Sequence, residues 1–214
     1  MPLAPEYLDT LAAAAAHTAG PLIIPWPMPG NLGGFVSFDE FAQWQRFVLK
    51  LSLPNGIPLI VSAKFERAQR LYLFGWMDAD IIKAGELAAL TTLELALKDR
   101  YGGKVKKNKR GDYSLAALLR YMPEKDGLTD ALVPMNIRCG GGSVVELLTG
   151  DWNPSLTQIR NDMAHGYPFD RLPWGGLLEL VRDLIAYAYR DFTPPPPPPP
   201  PPHPHQRQPP LPSA

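Results

Sequence analysis

The sequence predicts an all-α protein: a helical bundle with an irregular N-terminal extension and a disordered polyproline tail. Three observations predict it. Apolar residues recur at helical spacing through residues 64–75, 79–101 and 174–191, each stretch bounded by Gly, Pro or a capping residue. A single run, Ile57 to Val61, is short, branched and strand-like, and it reads equally as buried loop. Nine consecutive prolines, Pro194 to Pro202, cannot join a core; as polyproline II they extend about 28 Å at ~3.1 Å per residue.

Without the tail about 190 residues remain, enough for one domain with a real core. The division is residues 1–62 as N-terminal helices and connector packing on the bundle, 63–192 as the bundle, and 193–214 as the tail. Hydrophobic residues at 45% and charged ones at 20% are ordinary for a soluble globular chain. The formal net charge of zero excludes a strong overall field, so any contact with nucleic acid has to be local. Cys139 stands alone, which excludes an intramolecular disulfide, fits a reducing compartment and points to packing rather than nucleophilic chemistry. No apolar run approaches the ~20 residues that span a bilayer, and Glu6 and Asp9, with no Lys or Arg, precede the alanine run. These features predict an untargeted, cytoplasmic protein without a membrane partner.

In chain order, Pro5 opens a short peripheral helix through Leu8, Leu11 and Ala12 to Ala16, which Gly20-Pro21 ends. Leu22 to Phe35, dense in Pro and Gly, predicts an ordered but irregular connector anchored by Trp26. Ser37 to Glu40 has capping-box spacing with Val36 and Phe41 as staple, so a helix is expected from Phe38, with Phe41, Trp44, Phe47, Val48 and Leu51 as its apolar face. Pro54-Asn55-Gly56 makes a turn. From Lys64 the period is helical through Phe65, Ala68, Leu71, Tyr72 and Gly75. Asp78 or Asp80 then caps the longest helix, Ala79 to Tyr101, whose stripe is Ile82, Gly85, Ala89, Leu93, Ala96 and Leu97 and whose end is Gly102-Gly103.

Lys104, Lys106, Lys107, Lys109 and Arg110 crowd the following loop, as a solvated surface or as a contact to a phosphate backbone. Ser114 caps a helix from Leu115 to Met122 that Pro123 ends. Gly140-Gly141-Gly142 lacks the Gly-Lys-Ser/Thr of a phosphate-cradling loop, and a hinge is preferred. Ser143 to Glu146 forms a second capping box, opening a brief helix to Gly150. Asn153 and Pro154 start another helix that Gly166 and Tyr167-Pro168 stop just past His165. Pro173 opens the last one, with Leu177, Leu180, Val181, Leu184, Ile185 and Ala188 as its buried face.

At ~100° per residue Asn161 and His165 share a face of their helix, while Arg160 has to bend its side chain round to join them on one anion. The segment Arg160-Asn161-Asp162-Met163-Ala164-His165-Gly166 resembles the Arg-x4-His motif of HEPN domains, down to the polar residue after Arg and the Ala-His-Gly ending. The likeness covers about residues 63–192 and includes Thr91 to Leu97, similar to the central helix of HEPN-like bundles. It implies a metal-independent endoribonuclease, of toxin or defence type, working as a homodimer in which two motifs form one composite site. Arg160, Asn161 and His165 are then the catalytic candidates and the 104–110 cations the RNA-binding candidates, with no cofactor and no metal; His203 and His205 read as tail residues.

RNA cleavage of this kind needs a group that removes the 2′-hydroxyl proton and a fixed cation that stabilises the phosphorane, roles His165 and Arg160 can fill. A helix C-terminus suits an acid or electrostatic role for the imidazole over a base, and the sequence leaves that choice open. The alternative is a non-catalytic HEPN-like scaffold in which Arg160 and His165 cap the helix and bridge to carboxylates such as Asp162 or Asp170. A third reading is an adaptor whose proline tail docks a protein partner.

Overall fold

The computed structural model describes Asp9, residues 20–166 and residues 172–193. Apart from Asp9, the helix expected over Pro5 to Ala16 lies outside the described residues, as do the Tyr167-Pro168 stop, Asp170 and the tail from Pro194. What is described is mostly helical, with a two-stranded antiparallel sheet beside the helices.

The chain enters as a ribbon. Strand β1 (Leu22–Pro25) pairs with β2 (Phe35–Phe38) in the register Leu22 opposite Phe38 and Pro25 opposite Phe35. Within the stretch expected to be irregular, then, the first four residues form a strand. The prolines do not prevent it, because Pro25 sits at the strand's last position and the later prolines fall in the loop between strands. Leu22 and Ile24 face the core while Ile23 faces solvent. Ser37 and Phe38 belong to β2, so helix α1 (Phe41–Leu49) starts three residues later than the capping box suggests; Glu40 precedes it without a side-chain cap, and Gln43 Oε1 accepts the Asp39 N–H at 3.0 Å.

Helix α2 (Leu59–Phe74) takes in the last three residues of the strand-like run, whose Val61 continues the stripe of Phe65, Ala68 and Tyr72 by one turn. Helix α3 (Ile81–Tyr101) is the central element. It packs most extensively on α2 and also holds α4 (Leu115–Lys125), α7 (Leu156–Ala164) and α8 (Leu177–Ala188). Its expected stripe is buried throughout, with Ala89, Leu93, Ala96 and Leu97 at 0% exposure. Each leucine buried in this way contributes roughly 1.5–3 kcal/mol.

Ser114 caps α4, and the helix runs through Pro123 to Lys125 instead of ending there. A proline in the last turn removes one hydrogen bond only, the one to the Leu119 carbonyl, and at the helix end the carbonyls of Tyr121 and Met122 accept from Asp126 N and Leu128 N. Helix α5 (Pro134–Cys139) ends on left-handed Gly140, and α6 (Val144–Thr149) starts under Ser143, whose Oγ accepts the Glu146 N–H at 3.1 Å. The Asp130 carboxylate takes the N–H groups of Val144 and Val145 at 2.7 and 3.0 Å. It fills the anion position that a phosphate would need at that helix start.

Ser155, not Asn153, caps α7 by accepting the Gln158 N–H. The last helix begins at Leu177 rather than just after Pro173. Gly176 is left-handed there, and a Cβ on Gly175 would lie 3.1 Å from the Pro25 backbone. The ribbon is clamped at this point: Trp26 Nε1 donates to Glu179 Oε2, and Arg138 binds both oxygens of Glu179 and the Pro27 carbonyl. Among the described residues no helix is long and apolar enough to cross a membrane.

Candidate active site

Helix α7 presents Ile159 and Leu156 to the core, which leaves Arg160 beside α3 and Asn161 and His165 toward solvent. The Arg160 side chain, 26% exposed, reaches α3 and donates from Nη2 to Glu94 Oε2 at 2.7 Å. Its Nη1 donates to Asn161 Oδ1 at 3.2 Å, so the guanidinium does bend toward the face that Asn161 occupies. The Arg160 Nε is buried and makes no hydrogen bond. Glu94 is shared: Lys98, one turn further along α3, takes its Oε1 at 2.7 Å.

Burial acts to raise the Glu94 carboxyl, but the hydrogen bond from Lys98 and the charges of Arg160 and Lys98 outweigh it and hold the group below the usual carboxylate range. Two cations against one carboxylate leave this cluster one net positive charge, the sign a phosphate requires. His165 follows the last residue of α7, its backbone N–H donating to the Asn161 carbonyl at 2.9 Å, and Gly166 turns the chain away at φ +63°. The imidazole is exposed and makes no hydrogen bond to any described residue. Asp162, half-buried, does not pair with Arg160; the carboxylate that does is Glu94.

The five cations of the loop after α3 are all exposed. The loop is shaped by Asn108, whose Oδ1 accepts the N–H groups of Arg110 and Asp112 at 2.9 and 3.0 Å. Lys107 lies 5.3 Å from the centre of the Tyr113 ring, and Lys104 lies 5.8 Å from those of Tyr101 and Tyr121. None of these interactions reaches Arg160, Asn161 or His165. Cys139 is 2% exposed and burial pushes its thiol up, which leaves it a packing residue.

Glu94 and Lys98 were not singled out in the sequence. Four residues apart on a helix, they look like any surface ion pair, and nothing local joins them to a residue 66 positions away. Comparison of the chain with family models, curated proteins and solved structures finds no match.

Proposed function

We propose that this protein is a HEPN-type endoribonuclease that cleaves RNA without a divalent metal, as a homodimer whose two Arg160–His165 motifs share one composite site. The observation that carries the reading is the guanidinium of Arg160, fixed by Glu94 and Asn161 at the helix end that exposes His165. The 2′-oxygen attacks phosphorus as its proton leaves to an imidazole. The P–O5′ bond breaks, and the departing oxygen takes a proton from a second imidazole. The products are a 2′,3′-cyclic phosphate and a 5′-hydroxyl. Two motifs per dimer supply both imidazoles, and Arg160 with Lys98 faces the charge that grows on the phosphorane. The exposed cations of residues 104–110 hold the RNA backbone, contributing affinity without reading bases.

One observation favours the second reading, a scaffold of the same type: Arg160 already has a carboxylate partner, as a purely structural arginine would. Incubating wild type and His165→Ala with structured and unstructured RNA in EDTA separates the two. The nuclease reading expects cleavage by the wild type alone. No cleavage by wild type on any RNA, with marked destabilisation of the variant, establishes the scaffold.

A further inference from the structure

Glu86 is the least expected residue of α3. It stands one turn from Ile82 and from Leu90 on the core face of the helix, is 0% exposed, and neither carboxyl oxygen completes a hydrogen bond. An apolar side chain there would avoid the cost of burying a polar group unpaired. The neighbouring Tyr72 of α2 repeats the anomaly, at 1% exposure and with its hydroxyl unpaired. The two are brought together by Gly85, whose missing side chain leaves the place where the Tyr72 ring lies.

Both groups face the start of α8. The Trp174 N–H points toward Glu86 and the Leu178 N–H toward Tyr72 without closing to hydrogen bonds, and each favours a negative charge. The charged and titratable groups around Glu86 among the described residues are Lys83 on its own helix, ion-paired to Asp80 at 3.1 Å, and the neutral Tyr72 hydroxyl from α2. Burial outweighs the help of Lys83 and the Trp174 N–H, so the carboxyl is pushed well above its ordinary range, toward the neutral acid.

We propose that Glu86 is a buried proton-binding switch: protonated, it lets the first turn of α8 close on α2 and α3, and on losing its proton it draws in water and lifts that turn. The inference is independent of RNA cleavage.

The sign follows from the raised folded-state value: stability is fully present below the unfolded carboxyl's range and is lost as pH rises toward the folded value. Over that window the folding equilibrium constant of the wild type falls by up to about tenfold per pH unit on account of this proton, and Glu86→Gln, neutral at every pH, lacks that component. Urea denaturation of both proteins from pH 5 to 9 reads the difference directly, with Asp183→Asn as a control for the other carboxyl raised by burial. Identical pH slopes for wild type and Glu86→Gln would overturn the proposal. Should Glu86→Gln fail to fold, hydrogen exchange of wild-type residues 174–180 decides alone. Corrected for intrinsic rates, opening there increases between pH 6 and 9 if Glu86 is the switch, and constant opening rejects it.

Discussion

Arg160 on α7 and Glu94 on α3 meet at 2.7 Å, and Lys98 occupies the carboxylate oxygen that Arg160 leaves. This bond is how the central helix fixes the motif. Arg160 has rotated out of line with Asn161 and His165 along its own helix, and the Glu94 contact together with the Asn161 bond selects one geometry for a long, otherwise variable side chain.

Glu94→Gln removes the charge that fixes Arg160. With Arg160 at 26% and Lys98 at 40% exposure, water screens part of the loss, and the expected cost is about 1–2 kcal/mol. Glu94 titrates below its unfolded value in the folded protein, so its stabilisation is present above the unfolded carboxylate range and disappears as pH falls through the folded value. Urea midpoints at pH 7 and pH 3 should therefore differ less in the variant than in the wild type. An unchanged midpoint at pH 7 would show that α7 does not depend on this pair.

His165→Ala should lower RNA cleavage by about 10² to 10⁴ while leaving the melting temperature nearly unchanged, because the residue is exposed and its ring makes no hydrogen bond to any described residue. Arg160→Lys should fail to cleave as well, since a point charge replaces the planar fork that spans Glu94 and a phosphate. Full activity in Arg160→Lys contradicts a phosphate-clamping role.

Replacing Lys104, Lys106, Lys107, Lys109 and Arg110 with Ser should flatten the salt dependence of RNA binding, each lost phosphate contact reducing the log–log slope by about 1. Fluorescence anisotropy across salt concentrations measures it. An unaltered slope returns the loop to a solvated surface.

Gly85→Ala sets two effects against each other. Alanine gains about 1 kcal/mol of helix propensity, but its Cβ would stand 2.6 Å from Tyr72 Cδ2 and 3.3 Å from the Ala68 carbonyl. Tyr72 is buried and cannot swing aside, so a net loss of about 1–3 kcal/mol is expected in thermal unfolding. Gly103→Ala, with nothing within 4 Å of its Cβ, serves as the tolerated comparison.

What the sequence determined by itself is whatever neighbouring residues decide among themselves. The stripe of α3, the serine caps of α4 and α6, the Gly150 stop and the helical period around Phe65 and Tyr72 all lie within a few residues, and the structure shows each. Where local signals misled, a distant backbone had intervened. Ser37 carries a capping pattern, yet Ile23 takes its backbone into a strand ladder; Pro173 suits a helix start, yet the Pro25 backbone presses on Gly175 and delays the helix to Leu177. The candidate site divides in the same way. Arg160, Asn161 and His165 were legible because a single helix end carries them, whereas Glu94 became part of the site through the packing of α7 on α3. Glu86 shows the limit most clearly: its place on the core face could be read from the spacing, but its burial opposite Tyr72 and the start of α8 exists only once three helices have closed around it, since desolvation is a property of the assembled interior and not of any stretch of chain.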